Sequence, residues 1–202
     1  MKLLHVDNLI TYSITKEKAM IHAAKRLCHD VYFEEGYIKR LFSKGVIPHD
    51  HDEDSIYIIA STPSNQIIGT IRMTIGYCKT LEAWKGNLFP ESEQMIASII
   101  NQGTAYEVGA LAVRKDYRGS KVSWGLYKSA LISSLAHKLE YAFVGMDERA
   151  LRALEFLGWD VIRIGKPKKY LGSITVPGII QVSQQPTKIE KKNTNYHSYL
   201  AA

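Results

Sequence analysis

Cysteine is scarce, with only Cys28 and Cys78 in 202 residues. Two thiols make neither a disulfide framework nor a cysteine-rich metal site, and they point to a reducing compartment, the cytoplasm. No apolar run reaches the roughly 20 residues that a membrane-crossing helix needs, so no transmembrane segment is expected. The N-terminus, Met-Lys-Leu-Leu-His-Val-Asp-Asn, has no long apolar stretch and no small-residue cleavage site, so it does not read as a secretory signal. Acidic residues are the minority, 20 against 26 basic, and the resulting charge of +6 favours an acidic partner. The basic residues are scattered rather than gathered into a stripe, and no nucleic-acid-binding motif is found, so nucleic acid is not expected. A phosphate-bearing cofactor or an acidic carrier protein is the remaining kind of partner. There is no internal repeat, and 46% apolar with 23% charged residues is an ordinary globular composition.

What is there centres on Tyr106 to Leu126. Glu107, Gly109, Leu111 and Val113 alternate with Tyr106, Val108, Ala110 and Ala112, which is the pattern of a strand. A polar turn, Arg114 to Lys121, follows, and Leu126, Tyr127, Ala130, Leu131, Ser134 and Leu135 then recur at helical spacing toward Lys138. Strand, basic turn and helix start present backbone N–H groups to an anion. Arg118, Gly119, Ser120 and Lys121 occupy the place of a phosphate contact, although such a turn also serves purely as a connection in many α/β proteins.

Along the chain, Leu3 to Ile14 reads as an opening strand and Lys16 to Phe33 as a helix capped by Thr15, ending at Gly36 with one more turn over Tyr37 to Phe42. The run His49-Asp-His-Asp-Glu-Asp54 is rich in metal-binding side chains. Its residues are adjacent rather than spaced to converge, and no distant His or Cys pair completes them, so it reads as a solvated acidic turn and no metal is expected. Ser55 to Ser61 and Gln66 to Gly76 form a hairpin around Pro63-Ser64-Asn65. Arg72 stands in the middle of its second strand, on a face with Ile68 and Thr70. Such an arginine needs a carboxylate or phosphate partner, or else lies on an edge strand in water. Ser92 is read as the cap of a helix from Glu93 to Asn101. Tyr141 to Gly145, Asp160 to Gly165 and Val176 to Val182 read as strands, and Asp147 caps a helix over Glu148 to Phe156. The fold expected is a single α/β domain over residues 1–184, a mixed central sheet with helices on both faces, followed by a loosely held polar tail, 185–202.

These pieces, in this order, resemble the GNAT acyltransferase superfamily. The matching segments are Gly69-Thr-Ile-Arg72, the strand from Glu107 to Val113, the Arg118-Gly119 turn with its helix, and Ala150 to Trp159. Within the superfamily they are similar to the autoinducer-synthase branch, the acyl-homoserine-lactone synthases and long-chain N-acyl amino acid synthases. Cys28-His-Asp-Val-Tyr32, the acidic loop, Leu157-Gly-Trp159 and Gly165-Lys-Pro-Lys-Lys-Tyr170 carry that closer likeness.

The resemblance implies an N-acyltransferase moving an acyl group from an acyl thioester to a small-molecule amine, with an amino acid as one candidate. The donor would be carried by the phosphopantetheine of coenzyme A or of an acyl carrier protein. Its pantetheine arm would lie along Leu111, Ala112 and Val113, and the backbone of Arg118, Gly119, Ser120, Lys121, Val122 and Ser123 would hold its phosphate. Glu107 and Arg72 would be catalytic, with Glu107 as base unless it forms a structural ion pair. Tyr32 and Asp52 would face the acceptor. Arg72 has a second option, the acceptor's carboxylate. Lys121 and Ser123 replace the small residues of the family's phosphate turn. Cys28, Gly109-Ala110 and the lack of a tryptophan after Gly36 depart from the lactone synthases at groups tied to S-adenosylmethionine, which argues against a lactone product. An acetyl-CoA-dependent N-acetyltransferase and a non-catalytic acyl-thioester or partner-binding domain are the alternatives.

Overall fold

The computed structural model describes residues 1–7, 9–39, 42, 45–47 and 51–192. The expected opening strand is two, β1 (Lys2–Asp7) and β2 (Ile10–Thr15), paired antiparallel across a turn in which Leu9 takes a φ of 66°. Helix α1 (Lys18–Glu34) follows, then β3 (Ser55–Ser61), β4 (Ile67–Ile75), α2 (Lys79–Ala83) and α3 (Pro90–Asn101). Next come β5 (Ala105–Val113), α4 (Val122–Ala136), β6 (Tyr141–Asp147) and α5 (Glu148–Phe156), and finally β7 (Ile162–Arg163), β8 (Lys168–Tyr170), β9 (Ser173–Gln181) and α6 (Gln185–Lys192). The strand order is β1-β2-β3-β4-β5-β6-β9-β7, with β8 on β9, and parallel β5–β6 pairing among antiparallel neighbours makes the sheet mixed. Among the described residues no helix is long and apolar enough to cross a membrane.

Two compact units divide the chain, and β5 and α4 run through both. The first holds Met1–Thr74 and Gly109–Ser133. On one face of its strands, Tyr57 and Ile59 of β3 pack with Ala24 of α1. On the other, Gly69 of β4 lies against Val122 and Leu126 of α4, and Gly125 of α4 lies so close to Tyr12 of β2 that a Cβ there would overlap the phenol ring. Helices thus cover both faces, as expected. Helix α4 buries Val122, Leu126, Ala130 and Leu131 together with Lys128, Ser129 and Ser133. A helix apolar or buried nearly all round belongs inside a core.

The second unit holds Ile75–Val108 and the chain from Ser134 on. Its core joins Ile96 and Ile99 of α3 to Phe143, Ile164 and Ile179. Asp147 caps α5 as its sequence position suggests, its carboxylate accepting the N–H groups of Arg149 and Ala150 at 2.9 Å.

Several expectations are corrected. Thr15 does not cap α1. Its hydroxyl accepts the Glu17 N–H at 3.2 Å and the helix begins later, at Lys18. The described residues of 37–42 are not helical. Helix α3 starts at Pro90, not Glu93, because proline has no N–H to lose in a first turn. The strand read over Asp160 to Gly165 is only two residues long, and the basic loop contains β8. Of the expected tail, the described residues Gln185–Lys192 form α6, which buries Gln185 and Ile189, and the Gln185 amide accepts the Asp160 N–H at 3.0 Å.

Candidate active site

Strand β5 does not alternate without interruption. Ala110 has a φ of 51°, a left-handed conformation that costs an alanine energy and shifts the side-chain phase. Tyr106, ahead of it, hydrogen-bonds Ser134 of α4 at 2.5 Å, whereas Ala112, beyond it, packs with Cys28 and Val31 of α1. Unbroken alternation would give these two residues one face. The parallel pairing with β6 occupies Ala105–Val108, ahead of the kink, while β5 continues to Val113.

In the first unit a polar cluster lies between α1 and the β3–β4 strands. Arg72 is only 8% exposed, so it does not sit at an edge in water. The Tyr57 hydroxyl meets Arg72 and donates to Asp52 Oδ1 at 2.6 Å, and Lys25 Nζ pairs with Asp52 Oδ2. Burial and the Asp52 bond push the Tyr57 phenol up, with Arg72 pulling against them. Burial pushes the Cys28 thiol up to about 12, again with Arg72 opposing. Burial also raises the Tyr32 phenol, and the Cys28 beside it adds to the rise. Tyr32 packs edge-on against Tyr37, ring centroids 5.3 Å apart. Arg72, Asp52 and Tyr32, picked from sequence, are therefore neighbours in one cluster, and Lys25 and Tyr57 are members the sequence did not flag. Within this cluster Arg72 Nε and Nη1 are buried and reach no hydrogen-bond partner among the described residues. Thr70 Oγ1, one alternation back on β4, is buried and unpartnered too. Buried donors left unmet are costly, and their usual explanation is a group that binds there.

The basic turn also belongs to this unit. One turn of 3₁₀ helix, Lys115–Tyr117, leads to Gly119, whose φ of 75° a side chain would resist, and α4 then begins. Arg118 does not stand free. Its Nε donates to the Val113 carbonyl at 3.0 Å, and its Nη atoms pair with Glu35 at 2.5 Å and Glu34 at 2.9 Å at the end of α1. The Ser120 hydroxyl ties back to the Tyr117 carbonyl at 2.5 Å. Val122 is buried, as is the Ala112 side chain, so only their backbones are available to a ligand. Gly119, Lys121 and Ser123 border the start of α4, whose first N–H groups lack intrahelical carbonyls. Leu111 and Val113 are partly buried on β5.

Glu107 lies in the second unit, 8% exposed. The Thr80 N–H at the start of α2 donates to its Oε2 at 2.7 Å. The Cys78 thiol and Tyr170 of β8 both sense its charge. Burial is the larger cause that pushes both groups up. Tyr170 stacks edge-on against Trp84, over whose ring Lys168 Nζ sits at 4.6 Å. A cavity of about 290 Å³ in this unit is walled by Cys78, Leu81, Ile100, Ala105, Tyr106 and Phe143. Phe143 is the register partner of Glu107, and Ala105 lies one alternation before it. Thr80, Cys78 and the cavity escaped sequence reading because α2 is too short to show periodicity. Tyr170 carried a signal, as the last residue of the quoted Gly-x-Pro-x-x-Tyr segment.

The acidic run His49 to Asp54 lies partly outside the described residues, which omit His49 and Asp50. Among the described residues no group of three or more His, Cys, Asp or Glu is placed to hold a metal ion.

Among curated proteins no sequence relative is found. Solved structures share the fold. FeeM, an N-acyl amino acid synthase from uncultured soil microbes, superposes with a TM-score of 0.67 at 13% identity, over 91% of this chain and 96% of its own. BjaI, a CoA-dependent acyl-homoserine lactone synthase, superposes with a TM-score of 0.67 at 18% identity, over 91% and 83%. TofI, solved in a ternary complex with an inhibitor and MTA, reaches 0.69 at 15% identity, over 89% and 96%. The family described as N-acyl amino acid synthase FeeM matches residues 23–179. The chain therefore belongs to the FeeM N-acyl amino acid synthase family, and it is an acyltransferase that moves an acyl group from a thioester to an amine.

Proposed function

We propose that the acceptor is an amino acid whose carboxylate is taken by Arg72, and that the donor carries an acyl chain longer than acetyl. The observation behind the first half is the buried guanidinium with Nε and Nη1 unmatched. These nitrogens and the fork geometry of arginine suit a carboxylate, and burial strengthens the pairing. The observation behind the second half is the cavity of about 290 Å³, lined by Leu81, Ile100, Ala105 and Phe143 together with Tyr77 and Glu82, since an acetyl group fills only a small part of it. That volume lies near the lower end of the roughly 300–1,000 Å³ usual for small-molecule sites.

In this reading Glu107 removes a proton from the acceptor's amine. The nitrogen lone pair then attacks the thioester carbonyl, the new N–C bond forms, the C–S bond breaks, and the sulfur leaves as a thiol once it gains a proton. Tyr32 and the Asp52–Lys25–Tyr57 group shape the acceptor side around Arg72. Backbone groups of Leu111 to Val113, on the part of β5 beyond its rungs with β6, run beside the pantetheine, and the turn from Arg118 to Ser123 receives its phosphate. Arg118 exchanges Glu34 and Glu35 for that phosphate. BjaI has been solved with isopentyl-CoA, so coenzyme A is one carrier for such a donor. The net positive charge suits an acyl carrier protein equally.

The test is mass spectrometry of products from acetyl-CoA, a long-chain acyl-CoA and a long-chain acyl carrier protein, each offered with mixed amino acids and with their decarboxylated amines. A long-chain N-acyl amino acid is the expected product. Acetylated product alone would transfer the chain to the acetyltransferases. Binding of donors without turnover would make it a non-catalytic thioester-binding domain.

A further inference from the structure

Strand β1 ends its sheet, and its outer edge pairs with no strand among the described residues. Exposed edges are ordinarily blunted by shortness, charge or a bulge. β1 is six residues long and leaves Leu3 59% and Val6 52% exposed. It does carry a bulge, because its register on β2 skips a residue between Leu3 and His5. The partners on β2 fix the faces. Leu3 and Val6 pair with Ser13 and Thr11, on one alternation, whereas Lys2, His5 and Asp7 pair with Ile14, Tyr12 and Ile10, on the other. Lys2 and Asp7 are five residues apart and would lie on opposite faces of a regular strand. The bulge brings them onto one face and brings Leu3 and Val6 together on the other. No ion pair among the described residues includes Lys2 or Asp7.

We propose that a second copy of this chain binds at this edge, β1 pairing antiparallel with β1 of the other copy about a two-fold axis. Charge complementarity selects this occupant, because an edge with a cation at one end and an anion at the other is matched by its own reverse. With the axis between Leu4 and His5, Lys2 stands opposite Asp7 of the second copy and Leu3 opposite Val6 of the second copy, and each pair occurs twice. Directly opposed residues of an antiparallel ladder share a face. The bulge meets that requirement for both pairs, and a regular strand in this register would not. The ion pairs then form on the face where Tyr12 meets Gly125 of α4. The four apolar side chains meet on the other face, which Ile59 shares through Ser13 and which packs against α1. Six strand residues from each copy are fewer than the roughly 20–30 a side of a standard interface, so the dimer is weak, with a Kd on the order of 10 μM.

The experiment is sedimentation velocity of the full chain over about 1–500 μM, across which the wild type is expected to pass from monomer to dimer. Lys2→Asp opposes like charges twice and should weaken association at least about tenfold, and Asp7→Lys should do the same. An equimolar mixture of the two variants should dimerise as strongly as the wild type, because every Asp then meets a Lys in the heterodimer. Misfolding or a merely damaged surface does not recover on mixing. Asp7 acts on the buried Lys128, so thermal melts accompany the runs. If Asp7→Lys does not fold, Lys2→Arg decides beside Lys2→Asp, since it keeps the pair and should associate like the wild type. A wild type still monomeric at about 500 μM overturns the proposal. A dimer that Lys2→Asp leaves intact overturns it too, since the interface would then lie on another surface. Variants that stay apart on mixing overturn it as well, since Lys2 and Asp7 would then not be opposed.

Discussion

Beneath α1, Arg72 is buried with two of its nitrogens unmatched, whereas beside α2 the Glu107 carboxylate is met by the Thr80 N–H. Both residues are 8% exposed, so burial does not separate them. What separates them is satisfaction. A carboxylate that is already hydrogen-bonded keeps one position, as a group that must remove a proton in a fixed direction requires. A guanidinium with spare donors carries a cost that only an incoming acceptor relieves. Under the proposed mechanism the first cluster receives the acceptor and the second removes its proton.

Stability measurements can break that contrast. Arg72→Leu should raise the unfolding free energy by about 1–3 kcal/mol, because it removes a buried charge with unmet donors. Glu107→Ala should lower it by about 1–3 kcal/mol, because it orphans the Thr80 N–H, while Glu107→Gln keeps an acceptor and should cost less than about 1 kcal/mol. Urea denaturation measures all three. Opposite signs for Arg72→Leu and Glu107→Ala sharpen the contrast, and equal losses would abolish it.

Acid should act on the first unit through His5. This ring is 5% exposed, stacks on Tyr12 with centroids 4.3 Å apart and lies 3.4 Å from the Ser129 hydroxyl. Burial, then the Lys128 charge, lowers it from 6.5 to about 4, with Asp7 pulling the other way. The unfolded chain therefore binds the proton first. The stability this group contributes is complete above pH 6.5 and is lost as pH falls toward 4, a loss on the order of 2 kcal/mol. His5→Phe keeps the stack and should flatten the pH dependence of the melting temperature across that window. An unchanged slope would remove His5 as its source. The smallest expected effect is at the turn, where Lys121→Glu should weaken donor binding about threefold to tenfold by calorimetry, in line with an exposed charge. Unaltered affinity would place the phosphate elsewhere.

The sequence carried more of the first cluster, with Arg72, Asp52 and Tyr32, than of the second, where Glu107 alone was read as a site residue. Glu107 was singled out by the likeness of its strand to that of the family, and Asp147 by its place ahead of a helical pattern, since capping is a local rule. Arg72 was legible as a residue in need of a partner, but not as one lacking it, because that depends on how β3, β4 and α1 close around it. The kink at Ala110 was invisible, since nothing in an alanine announces a positive φ. Helix α2 escaped for want of length, and with it Thr80 and Cys78. Likewise, the ion pairs of Arg118 with Glu34 and Glu35 join residues far apart in the chain.

The division of labour is tested most directly by measuring kcat and acceptor KM for Arg72→Gln and Glu107→Gln side by side, with one long-chain donor at saturation. Arg72→Gln should raise the amino acid KM about 30-fold to 100-fold and leave kcat within about threefold, since it removes a charge-assisted contact made on binding. Glu107→Gln should lower kcat by about 10²–10⁴ and leave KM close to wild type, since it removes proton transfer alone. An unchanged KM in the first variant, or an unchanged kcat in the second, would contradict the account.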